Sequence, residues 1–153
     1  MKKKIPPKAV VDTNLVLSGL LLKRGLPYEL VEAWRRGSFL LLVSDALREE
    51  YDQVLPRPTF AVKYGLTAEE VRAFLALVSM LGLRVTPQRR LSVKIRHQKD
   101  EKVLAAALGG KAEYLVTGDQ DLLVLRDDPH LKHLRIVTAR EFLEILAKES
   151  VEE

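Results

Sequence analysis

Cysteine is absent from this 153-residue chain, which excludes disulfides, thiolate zinc sites and cysteine nucleophiles. Histidine is scarce, with three residues at positions 97, 130 and 133, none paired at the usual ligand spacing, so the sequence offers no histidine-built metal site. No apolar run is long enough to cross a bilayer. The basic stretch Met1–Lys8 is followed by neither the apolar core nor the cleavage site of a secretory signal. A cytoplasmic protein with no membrane partner is therefore expected. Internal repeats, linkers and low-complexity segments are also missing, which predicts a single domain over residues 1–153, long enough for a sizeable core.

What is present points to a folded, soluble chain: 47% hydrophobic and 30% charged residues leave enough apolar material for a core. The net charge is +4, and its distribution says more than its size. Between Arg84 and Lys99 lie Arg84, Arg89, Arg90, Lys94, Arg96 and Lys99 with no acid among them. Such a run can be a solvated face, or it can hold a polyphosphate partner such as nucleic acid.

Ala9-Val10-Val11-Asp12 is a short apolar run ending in an acid. Runs of this kind read as strands buried on both faces of a parallel sheet. Phe39–Val43, Leu83–Thr86, Tyr114–Thr117 and Leu134–Val137 repeat the pattern. Helices are predicted between them: Pro27–Gly37, with Leu30, Val31 and Trp34 in phase; Asp45–Leu55, stopped by Pro56 and Pro58; and Thr67 to about Leu81, opened by a capping box. A further helix is predicted from Asp100 to Leu108, closed by Gly109-Gly110, and a last one opens at the capping box Thr138–Glu141. Strands alternating with helices predict an α/β layered fold with a mainly parallel sheet, whose strand order the pattern leaves open.

The acids then fall at telling places. Asp12 ends the first strand, where a ligand crevice forms in open α/β sheets, although a cap on the next helix would also explain it. On Asp45–Leu55 the residues Ala46, Leu47, Tyr51 and Val54 form the apolar stripe; Glu50 falls within it and Glu49 opposite. Asp100 lines up with Val103, Leu104 and Ala107, and Asp119 and Asp121 follow the fourth strand; each could be an N-cap. Taken together, they place carboxylates at one edge of a parallel sheet, where they repel unless protons or cations intervene. An all-oxygen set of this kind suits Mg²⁺ or Mn²⁺, which support phosphodiester hydrolysis.

These residues resemble those of the PIN-domain ribonucleases, particularly the small prokaryotic VapC-like branch that supplies the toxin of toxin–antitoxin pairs. Four segments carry the resemblance in the family's order: Val11-Asp12-Thr13-Asn14, Ser44–Leu55 with Glu50, Asp100–Ala107, and Val116-Thr117-Gly118-Asp119-Gln120-Asp121-Leu122-Leu123. The resemblance implies a three-layer α/β/α fold on a five-stranded parallel sheet, and an endoribonuclease that uses Mg²⁺ or Mn²⁺. It implies metal-coordinating acids at Asp12, Glu50, Asp100 and Asp119, with Asp121 as an accessory. Thr13, Asn14 and Thr117 match polar residues that steady those ligands. The chain departs from the branch in the loop before Asp100, where another acid is common and His97-Gln98-Lys99 stand here.

RNA is the expected partner, gripped by Arg89, Arg90, Lys94, Arg96 and Lys99, with a cognate antitoxin as a second. The helix Val71–Leu81 carries apolar residues on more than one face, which predicts a homodimer. Competing readings are a PIN-like module that binds without cleaving and an RNA-processing nuclease outside any toxin–antitoxin pair. A haloacid-dehalogenase-type phosphatase would need a second Asp where Asn14 stands, and a receiver domain would need a late-strand Lys that is not found.

Overall fold

The structure is a computed structural model and describes residues 5–55 and 65–152. Five strands form one parallel sheet: β1 (Lys8–Val11), β2 (Leu40–Val43), β3 (Leu83–Arg84), β4 (Tyr114–Val116) and β5 (Arg135–Val137), in the order β3-β2-β1-β4-β5. The central strands are short and Val/Leu-rich because both of their faces are covered. In β1, Ala9, Val10 and Val11 are all buried, as are Leu41–Val43 and Tyr114–Val116 in its two neighbours. Helices α1 (Thr13–Leu21), α2 (Leu26–Arg35), α3 (Asp45–Val54), α4 (Ala68–Leu81), α5 (Gln98–Gly109), α6 (Gln120–Leu123) and α7 (Ala139–Glu152) flank the sheet in the three-layer arrangement. Helix α5 lies over β2, β1 and β4 with α3 beside it, whereas α2 packs against α1 and α7. Phe39 and Phe142 meet edge to face at 5.1 Å, and Trp34 meets Phe74 at 6.0 Å.

The strand order positions the site. From β1 the chain moves outward to β2 and β3 on one side, then returns to β4 and β5 on the other. The carboxyl ends of β1 and β4 therefore flank the topological switch point, where ligand crevices open in such sheets.

Four elements differ from the sequence expectations. Helix α1 was not expected, because Thr-Asn-Leu-Val-Leu-Ser-Gly-Leu-Leu lacks a distinct polar face; it is buried by close packing on α2. Gly19 makes that approach possible, since a Cβ there would lie 2.3 Å from the Pro27 carbonyl oxygen. The predicted strand Leu83–Thr86 ends at Arg84, with one further bond from Val85 N–H to the Val43 carbonyl. Helix α5 starts at Gln98, not Asp100, and the short α6 follows β4 directly. Pro56 and Pro58, expected to stop α3, lie outside the described residues.

Candidate metal centre

Asp12 is the residue that β1 delivers to the switch point, and its surroundings decide between cap and ligand. It occupies the N-cap position of α1 but makes no side-chain capping bond. Its Oδ2 instead accepts a 2.8 Å hydrogen bond from the Thr117 hydroxyl at the end of β4. The carboxylate is 2% exposed, and its Oδ1 has no hydrogen-bond partner among the described residues. A cap would direct its oxygen at a backbone N–H of α1, and neither oxygen makes such a bond.

Asp100 reaches the same place from the opposite layer. Helix α5 runs back from the carboxyl edge of the sheet, so its first turn ends up against the switch point. Asp100 sits in that turn, 1% exposed, and its Oδ2 also lacks a partner among the described residues. The position preceding the helix belongs to His97, so the N-cap explanation fails for Asp100 as well. Burial, then the charge and hydrogen bond of Asp119 and the charge of Asp12, push the Asp100 carboxyl up to about 6.

Asp119 completes the group and does two things at once. Its Oδ1 accepts from Asp121 N–H at 2.9 Å, capping α6 as the sequence allowed. It also offers a carboxylate oxygen to a cluster in which one ligand atom each from Asp12, Asp100 and Asp119 lies within 4.8 Å of the others. Thr117 ties the two sides together: its hydroxyl donates to Asp12 and accepts from Asp119 N–H at 3.0 Å.

The other expected residues divide. Thr13 is buried, and its hydroxyl donates to Glu50 Oε2 at 2.8 Å. Glu50 is half-buried on α3 and stands outside the three-acid cluster, bonded to the residue that follows Asp12, while Glu49 is exposed. Asp121 also lies outside the cluster; its Oδ2 is 3.4 Å from His97 Nε2. Asn14 is exposed and has no side-chain hydrogen bond among the described residues. Arg89, Arg90, Lys94 and Arg96 are exposed and Lys99 half-buried, while Arg84 is taken by Asp45 through two bonds of 2.8 and 2.6 Å.

Two residues were missed by sequence reasoning. The Tyr51 hydroxyl is buried without a partner among the described residues, and burial, then the charges of Glu50 and Asp12, hold its proton well above the usual range. In the sequence it reads only as part of an apolar stripe. His97 stands where this chain departs from the family's pattern before Asp100, and its Nε2 lies 3.4 Å from Asp121 Oδ2.

The donor set fits a hard divalent cation. Two orphaned, buried carboxylate oxygens face a third carboxylate, and no Lys or Arg among the described residues forms an ion pair with any of the three. Uncompensated buried carboxylates are costly, and oxygen ligands of this type are those that Mg²⁺ and Mn²⁺ take.

Comparison with known proteins agrees with this geometry. A family model described as PIN domain matches residues 8–121, three quarters of the chain. The chain is also 28% identical over 151 residues to the uncharacterized protein MJ1680 of Methanocaldococcus jannaschii, covering 95% of this chain and 96% of that protein. No helix among the described residues is long and apolar enough to cross a membrane.

Proposed function

Because the chain belongs to the PIN-domain family, with its nuclease-type fold, we propose that it is a Mg²⁺- or Mn²⁺-dependent endoribonuclease acting as one domain. The observation that carries this reading is the meeting of Asp12, Asp100 and Asp119 with two unsatisfied oxygens at the switch point. These three would hold the cation, Glu50 and Asp121 would act from the next layer outward, and Thr13 and Thr117 would orient Glu50 and Asp12. A cation bound there supplies activation of a water and neutralisation of charge on the phosphodiester being cleaved. The chain's own contribution is orientation: Thr117 holds one oxygen of Asp12 and leaves the other without a partner among the described residues. The retained acids also argue against a module that binds without cleaving, since such a module gains nothing from their repulsion. Incubating the protein with mixed RNA and Mn²⁺, with and without chelator, tests the reading; cleavage that persists in chelator, or none in its absence, overturns it.

Glu50→Gln is expected to lower cleavage at least about tenfold. Glu49→Gln should stay within about twofold, because Glu49 reaches only solvent and Gln53, as exposed changes usually do. Equal effects on initial rate would show that the Thr13–Glu50 bond has no bearing on the site.

The basic segment before Asp100 is proposed to hold the RNA backbone. An Arg89→Ala, Arg90→Ala, Lys94→Ala variant is expected to bind single-stranded RNA more weakly at every sequence, with the log–log salt slope flattened by about 0.7 per lost phosphate contact. Unchanged affinity and slope across a salt series would leave the segment as solvated surface.

The finer reading is the toxin of a type II toxin–antitoxin pair with its antitoxin as partner, in the cytoplasm; the four segments named above support it. A homodimer belongs to the same reading. Helix α4 buries Val71, Phe74 and Val78, but Met80 is 79% exposed with Leu81 and Leu83 beside it, an apolar end with nothing over it among the described residues. Sedimentation at micromolar concentration is expected to give twice the chain mass, and a monomeric mass would refute the dimer.

A further inference from the structure

The segment between β3 and α5 is a strap laid along α5. Gln88 N–H donates to the Ala105 carbonyl at 2.9 Å. Gly109 admits the strap so closely that a Cβ there would lie 2.0 Å from Thr86 O and 2.6 Å from Gln88 N. Beyond Arg90 the strap alternates: Leu91, Val93 and Ile95 turn in and are half-buried against the core, while Ser92, Lys94 and Arg96 are exposed. Between strap and helix runs a groove of about 440 Å³ with those three apolar residues along it, Arg89 and Lys94 at its border, and Glu101 and Ala105 supplying the α5 wall. Glu101 follows Asp100 in sequence but is exposed where Asp100 is buried, because consecutive helical residues point about 100° apart.

We propose that this groove is a nucleotide subsite that takes one base of a single-stranded RNA and prefers a base with an exocyclic amino group, cytosine above uracil. The volume suits a nucleotide-sized ligand, with an apolar surface for the base face and cations for the adjoining phosphates. Glu101 sets the preference. A carboxylate accepts from cytosine N4, whereas uracil presents a carbonyl oxygen at that position and is repelled. The same acid argues against an acidic peptide, which would meet repulsion at the helix wall. The subsite rests on the ribonuclease reading for its substrate class.

Fluorescence anisotropy in chelator, where no metal-dependent cleavage can occur, isolates the subsite. Wild-type protein is expected to bind an eight-nucleotide oligo(C) roughly tenfold more tightly than oligo(U) of the same length, one good edge contact. Glu101→Gln should bring the two affinities within about twofold of each other, because an amide can pair with either base. Arg89→Ala with Lys94→Ala should weaken both oligonucleotides by a similar factor. Equal wild-type affinities, a preference that survives Glu101→Gln, or tighter binding of an acidic peptide than of oligo(C) would each overturn the subsite. The ribonuclease reading is judged separately by Mn²⁺-dependent cleavage. Cleavage with no base preference removes the subsite alone, and preference without cleavage removes the nuclease alone.

Discussion

Asp12→Asn is expected to lower RNA cleavage at least about 100-fold while the metal-free protein melts no lower than wild type. The hydrogen bonds around Asp12 give the reason. The Thr117 hydroxyl donates to one oxygen, so the substituted amide must turn its own oxygen that way. Its NH₂ group then occupies the place of Oδ1, the buried oxygen that has no partner among the described residues. An NH₂ group there cannot ligate a cation. It can, however, donate to Asp100 or Asp119, which in the wild type only repel it. Activity and stability therefore move in opposite directions, unlike the case of a residue that merely maintains the fold. The measurements are initial cleavage rates with Mn²⁺ and thermal melting in chelator. Near-wild-type cleavage would remove Asp12 from the ligand set, and a large fall in melting temperature would make it a structural residue.

The second large effect is on pH. Asp100 has its folded-state carboxyl raised to about 6, first by burial and then by Asp119 and Asp12. An acid raised in this way binds its proton more tightly in the folded state than in the unfolded chain. Its contribution to stability is fully present below the unfolded value of about 4 and is lost as pH rises through 6. Metal-free protein is therefore expected to lose on the order of 2–3 kcal/mol between pH 4 and pH 7 from this group. A bound cation must displace the proton, so the Mn²⁺-induced rise in melting temperature should be small below pH 6 and grow above it. Asp100→Asn should flatten the metal-free pH dependence and abolish the response to Mn²⁺. A wild-type protein whose metal-free stability rises from pH 4 to 7 while Asp100→Asn stays parallel to it would contradict the assignment.

Much of this architecture is local and was readable from the chain. Buried strands announce themselves by uninterrupted Val and Leu, and helices by capping boxes and 3.6-residue phase, so the five strands and most of the helices fell near their predicted places. Helix α1 escaped because a segment packed on several sides shows no stripe, and α6 because its four residues are shorter than any period can reveal. The phase of α3 correctly separated exposed Glu49 from half-buried Glu50. Phase could not say how far along the helix axis Glu50 would lie from Asp12.

By itself, then, the sequence determined the α/β alternation, the lack of any thiol, and the placing of acids at or beyond strand ends. Those properties depend on residues a few positions apart. Tertiary structure decided which acids meet. Asp12, Asp100 and Asp119 converge because β4 inserts beside β1 and α5 crosses back over both, a matter of strand order that no local period encodes. The pairing of β4 with β1 also made Thr117 the link between two strands, whereas Glu50 was left outside the cluster with its bond to Thr13. The basic strap lies along α5 because Gly109 and the Gln88–Ala105 bond let backbone meet helix there. A segment that the sequence could read only as surface or grip thereby became one wall of a groove along α5.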